Sequence, residues 1–253
     1  MGDVRIECCV DSIQAAELAL DGGADRLEVC SRLSQGGYTP GCELLGAVLK
    51  LQKRGYPGCQ VFAMVRPWYD GKHDFSYRTR GEQDALSRDL DAVTSMSVHG
   101  IVIGALVRGL DGLLDVDRET VGRMCRVAAM RNVPEATFHR AFDDIDADRL
   151  ASIDMLGRFG LITRILTSGG RGLKSRVVDD GNVEEIVRYQ VVASERGISM
   201  LPGSGILPEN VVGVVRGTGC REVHGSFGGG SLVAAVRGKL NKRVREKRLD
   251  CTS

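Results

Sequence analysis

Glu7 and Cys9 stand two residues apart near the start of the chain, and Glu28 and Cys30 repeat that spacing further on. Carboxylates and thiols in such pairs can hold a metal ion or move a proton. In an extended strand alternate side chains share a face, so Glu7 points with Cys9 and Glu28 with Cys30, while Ile6, Cys8, Val10, Leu27 and Val29 point the other way. If the two strands are neighbours, about 4.8 Å apart, Cys9 and Cys30 approach one another. Two soft thiolates at that range suit Cu(I), because thiolate ligands select it over hard cations. The competing reading is a pair of small buried hydrophobes, the common state of free cysteine.

A second set of residues could do proton chemistry. Of the four histidines, His139 and His224 fall at the ends of apolar runs, whereas His73 and His99 read as surface or helix-end residues. Glu222 and His224 share a face and make an acid/base pair, with Glu28 and His139 as further proton carriers and Arg66 as an anion clamp. A carboxylate and an arginine enclosed together can equally do no more than neutralise each other. His139 and Arg140 are consecutive, so a regular strand sends only one of them to the site. Glycine-rich turns supply a third set, Ser168-Gly169-Gly170, Pro202-Gly203-Ser204-Gly205 and Gly225-Ser226-Phe227-Gly228. Their backbone N–H groups can cradle an anion or merely close tight turns.

These residues need a frame that gathers strand ends on one side. Short runs rich in Val, Ile and Leu alternate with helical spacing throughout the 253 residues, the pattern of repeated βα units. The runs predict eight strands, at 5–10, 25–29, 60–65, 100–104, 135–139, 163–167, 198–201 and 220–224. Helices are predicted at about 12–21, 42–54, 81–97, 117–131, 147–159, 182–195, 208–217 and 232–248. Asp11-x-x-Gln14 reads as a capping box and Gly22-Gly23 as the stop of the first helix. Eight units in this length make an α/β protein, a single-domain (β/α)8 TIM-type barrel over residues 1–253. An open doubly wound sheet is the alternative, but Cys9-Val10-Asp11-Ser12 carries none of the glycines its first nucleotide turn requires.

Composition limits the partners. With 34 basic and 33 acidic side chains and 43% hydrophobic residues, the chain is neither disordered nor strongly charged. Residues 237–253 hold seven basic and two acidic side chains. Val236, Leu240 and Val244 recur there at helical spacing, so the segment reads as a last barrel helix with a solvated face, not a nucleic-acid patch. No apolar run spans a membrane. Eight cysteines without any Cys-x-x-Cys argue for free thiols in a reducing cytoplasm.

The sequence also resembles the CutC family, named for copper homeostasis. The matching stretches are Glu7-Cys8-Cys9-Val10-Asp11-Ser12, Gly22-Gly23-Ala24-Asp25-Arg26-Leu27-Glu28-Val29-Cys30-Ser31, Gly36-Gly37-Tyr38-Thr39-Pro40, Val65-Arg66-Pro67, Asp74-Phe75-Ser76-Tyr77, Gly104-Ala105-Leu106 and Asp111-Gly112. They continue through Thr137-Phe138-His139-Arg140-Ala141-Phe142-Asp143, Leu166-Thr167-Ser168-Gly169 and Glu222-Val223-His224. The resemblance implies a cytoplasmic TIM-type barrel, a homo-oligomer (dimer or tetramer), a link to copper, and an inward cysteine pair at Cys9 and Cys30. It implies no agreed reaction. Three departures stand out: Ser204 in a turn that is otherwise all glycine, residues 68–73 in place of a shorter basic connection, and Arg78 in place of serine. Two functions therefore compete, a Cu(I)-binding protein using Cys9 and Cys30, and a barrel enzyme for a small anionic metabolite, phosphorylated ones included. The anion would lie at Ser168, Gly169, Gly203, Ser204, Gly205, Gly225 and Ser226.

Overall fold

A computed structural model of the chain describes residues 4–69 and 74–250, with side chains as far as Lys242. Eight parallel strands follow one another around a nearly closed barrel, in the order β10, β1, β2, β3, β4, β7, β8, β9. They are β1 (Arg5–Val10), β2 (Arg26–Val29), β3 (Gln60–Met64), β4 (Gly100–Ile103), β7 (Ala136–Phe138), β8 (Ile162–Thr167), β9 (Ser199–Pro202) and β10 (Glu222–Gly225). The eight helices alternate with them as α1 (Ile13–Asp21), α2 (Cys42–Gly55), α3 (Arg80–Thr94), α4 (Arg118–Met130), α5 (Arg149–Gly157), α6 (Asn182–Glu195), α7 (Val211–Thr218) and α8 (Val233–Asp250). The predicted barrel is the observed one, and among the described residues no helix is long and apolar enough to cross a membrane.

Alternation along the strands divides the interior from the helix-facing layer. Ile6, Cys8, Val10, Leu27 and Val29 join the large apolar layer under the helices. Cys9 and Cys30 instead join Phe62, Met64 and Val102 in a small cluster inside the barrel. Adding one residue to either strand would exchange the two sets.

Local signals differ from expectation in four places. Ser12, not Asp11, caps α1 by accepting the Ala15 N–H, while Asp11 accepts the Leu33 N–H from the loop after β2. A short antiparallel hairpin, β5 (Leu106–Arg108) and β6 (Leu114–Val116), lies between β4 and α4. β7 ends at Phe138, and the chain enters a 3-10 turn over Arg140–Asp144 capped by His139. A second 3-10 turn, Leu33–Gln35, follows β2. Residues 70–73 and Cys251 lie outside the described residues, so His73 and most of the 68–73 connection do as well.

Candidate functional site

The register of β1 against its two neighbours assembles the floor of the site. Glu7 lies level with His224 of β10, and Cys9 level with Glu28 of β2. Cys9 Sγ is 3.6 Å from Cys30 Sγ and 3.1 Å from Glu28 Oε1. His224 Nδ1 is 2.7 Å from Glu7 Oε1 and 4.0 Å from Glu28 Oε2. One donor atom each from Cys9, Glu28 and His224 fits within 4.8 Å, so the three could share one ion. Gly203 lets Leu166 and this histidine close up beside it, since a Cβ there would stand 2.6 Å from Leu166 Cδ1 and 3.3 Å from the His224 ring.

Charge on the floor is unevenly shared. The hydrogen bond with Cys30, then burial and the Glu28 charge, push the Cys9 thiol well above its ordinary value. Burial also raises the Glu28 carboxyl, whose Oε2 has no hydrogen-bond partner. For Glu7, burial acts upward, but the Arg26 guanidinium and His224 outweigh it and hold the carboxyl at about 2. His224 is raised: burial opposes its charge, while Glu28 and Glu7 favour it more strongly. The other buried thiols are inert, with burial lifting Cys8, Cys59 and Cys125 to about 12 and Cys220 to about 11. The seven described cysteines are all free.

Glu222 does not form the expected pair with His224. Arg26, 1% exposed, donates from Nη1 to Glu7 Oε2 at 2.9 Å and to Glu222 Oε2 at 2.8 Å. Glu222 lies two residues nearer the start of β10, below the floor, where its charge is spent on Arg26. The carboxylate that meets His224 is Glu7, which belongs to the neighbouring strand.

Above the floor opens a cavity of about 490 Å³, lined in part by Cys9, Glu28, Arg66, His139, Arg140 and His224. His139 and Arg140 both reach it because the strand ends before them. His139 accepts the Ala141 N–H at Nδ1, which places its own proton on Nε2. Burial and nearby Arg66 lower its pKa to about 3, so the ring is neutral and serves poorly as a proton carrier near neutral pH. Gly104 admits the ring, since a Cβ there would lie 2.3 Å from it.

Arg66 is placed by residues that spacing alone did not single out. Its guanidinium stacks on Tyr38 at 4.4 Å and on Phe75 at 4.7 Å, and Nη1 donates to the Gly36 and Gly37 carbonyls. Thr39 fixes the Arg66 backbone by accepting its N–H. The Gly36-Gly37-Tyr38-Thr39 stretch is thus an arginine cage. Trp68 packs edge-on against Tyr38 and beneath Arg32.

The three glycine-rich turns differ in what they face. Ser204, Gly205, Gly225 and Ser226 line the cavity, whereas Ser168 is fully buried beside Gly169 and faces Asp143. Asp143 accepts from the Ser168 N–H at 3.0 Å, the Ser168 hydroxyl at 2.9 Å and the Thr167 hydroxyl. The anion that Ser168 and its loop hold is therefore an internal carboxylate. Ser204 adopts a left-handed φ of 70° and donates to the Ser175 carbonyl, tying the β9 turn to the β8 loop.

The fold and floor define a class: a (β/α)8 barrel with a buried cysteine–carboxylate–histidine cluster beneath its mouth. Residues 4–229 match the CutC family. A CutC family protein of Caulobacter vibrioides is 35% identical over 237 residues, covering 94% of this chain and 86% of its own. The human "copper homeostasis protein cutC homolog" is 34% identical over 221 residues, covering 87% of this chain and 71% of its own. The crystal structure of a CutC from Streptococcus agalactiae superposes with a TM-score of 0.75 at 25% identity, over 88% of this chain and 98% of that one. The chain belongs to the CutC family.

Proposed function

We propose that this protein binds Cu(I) at the barrel floor, with Cys9 and Cys30 as sulfur ligands and Glu28 and His224 beside them. One observation carries the reading: the two buried sulfurs stand 3.6 Å apart, Cys9 on β1 and Cys30 just past the end of β2, next to a Glu28 oxygen that no donor among the described residues satisfies. The donor chemistry fits, because soft thiols dominate and imidazole is an acceptable partner for copper. Metal-bound sulfur is thiolate, so loading the site displaces the Cys9 proton now directed at Glu28. Family relatives named for copper homeostasis support the same direction. A reducing cytoplasm suits the site, since it keeps such thiols unpaired.

Anaerobic titration of the full chain against a Cu(I) chelator tests this. One Cu(I) per chain is expected, with an ultraviolet thiolate-to-copper band. Cys9→Ser with Cys30→Ser is expected to weaken binding by more than about a hundredfold, since losing even an outer-shell partner costs about 10–100-fold. Unchanged affinity in that double variant overturns the reading and leaves the pair as packing.

A further inference from the structure

We infer that the cavity above the floor holds a second binding site, adjoining the thiols, one for a small organic anion held by His139 Nε2. The central observation is geometric. His139 is 97% buried by its 3% exposure, lines the cavity, and has Nδ1 committed to the Ala141 N–H. Its Nε2–H is the polar atom left to the ring, and it donates to no other described residue. A buried N–H without an acceptor costs free energy unless a ligand oxygen supplies one. An N–H donor cannot ligate a metal, so this histidine cannot belong to the copper site.

The surroundings define the ligand's chemistry. The Phe75 ring is shared, with the His139 ring centroid 4.8 Å away and the Arg66 guanidinium carbon 4.7 Å away. Arg140 lines the same cavity, but its guanidinium is held by Asp143 at 2.9 Å and by the carbonyls of Gly172, Leu173 and Ser175. The Arg66 guanidinium and a neutral N–H donor favour an oxyanion over a cation. The remaining wall combines apolar residues, among them Leu166 and Phe227, with Ser204 and Ser226 and, on the floor side, Glu28 and His224. A cavity of about 490 Å³ falls in the range that holds small organic molecules, not only an inorganic ion. The ligand class is therefore a compact carbon skeleton ending in a carboxylate or phosphate. Its acceptor oxygen meets His139 Nε2 while its charge faces Arg66.

This goes beyond the copper reading and rests on a donor that is no copper ligand, so the two can fail independently. The test uses the metal-free full chain labelled with 15N-histidine and followed by long-range proton–nitrogen spectra. Inorganic phosphate, propionate and glycerol phosphate are added separately, which distinguishes carboxylate from phosphate preference and a bare ion from an organic one. A saturable shift of the His139 Nε2 signal is expected with at least one organic anion, at lower concentration than with inorganic phosphate. His139→Asn keeps an oxygen to accept the Ala141 N–H but removes Nε2, and Arg66→Met keeps the stem but removes the guanidinium. Each is expected to weaken binding about tenfold or more. No shift with any probe up to tens of millimolar overturns the inference, as does undiminished affinity in a folded His139→Asn protein. The parent titration decides the matter alone if that variant does not fold.

Discussion

Replacing Glu7 with Gln probes the charge network beneath the site. Glu7 is 1% exposed, accepts from Arg26 at 2.9 Å and contacts His224 Nδ1 at 2.7 Å. Its pKa falls from the ordinary 4.5 to about 2. At about 1.4 kcal/mol per pH unit, that difference makes ionised Glu7 worth about 3 kcal/mol of folding stability. A depressed carboxyl stabilises above its unfolded pKa, so the contribution is complete above about pH 4.5 and is lost as pH falls through 2. His224 acts with the opposite sign: its raised pKa gives stability that is complete below the unfolded value of 6.5 and lost as pH rises through the folded one. Between about pH 4.5 and 6.5 both contributions are present in the parent. Urea unfolding is expected to place Glu7→Gln about 3 kcal/mol below the parent at pH 6. The Glu7 share of that gap shrinks to about 1.5 kcal/mol at pH 3. A gap of the same size at pH 6 and pH 3, or one below about 1 kcal/mol throughout, refutes the assignment of this network to ionised Glu7.

Two further substitutions test the residues that shape the mouth. Gly104→Ala puts a methyl group 2.3 Å from the His139 ring, and the displaced ring is expected to cost about 1–3 kcal/mol, read by urea midpoint. Asp143→Asn keeps the shape but turns an amide towards the donors of Thr167 and Ser168. A loss of about 3 kcal/mol or more is expected, with proteolysis accelerated in the loop after β8.

The sequence made the barrel and its inside-out alternation legible because both rest on a period of two residues and on apolar runs that each end at a strand exit. Cys9 and Cys30 follow directly from that parity. What parity cannot supply is register between strands. Glu7 and Glu222 both face inward, and only the pairing of Glu7 with His224 and of Arg5 with Glu222 decides which carboxylate meets the histidine. The β5–β6 hairpin was missed because its strands are three residues each, although Asp111-Gly112 is a common turn signal. His139 and Arg140 were expected to diverge, but a strand that ends at Phe138 imposes no alternation on the residues after it. In the sequence Asp143 is only the last residue of the 137–143 stretch. Recognising it as the partner of Ser168 needs the 3-10 turn that folds it back beneath β8.

The interior also explains how a polar network and a thiol site coexist in one narrow barrel. Phe62 lies between two guanidinium groups, 4.9 Å from that of Arg26 and 4.7 Å from that of Arg164. Gly100 opposite it is required, because a Cβ there would stand 2.4 Å from the ring. The ring belongs to the apolar cluster of Cys9, Cys30, Met64 and Val102, which forms a floor over the charges below. Those charges are neutralised in place: Arg26 by Glu7 and Glu222, and Arg164 by Glu135. Without that pairing, bare positive charge near Cys9 would favour its thiolate and draw anions down from the cavity. With it, the Cys9 thiol stays protonated, and the guanidinium that faces the cavity is that of Arg66 at the mouth, Arg140 being paired with Asp143. The separation of a soft floor from a cationic upper wall is thus a consequence of where the buried acids stand.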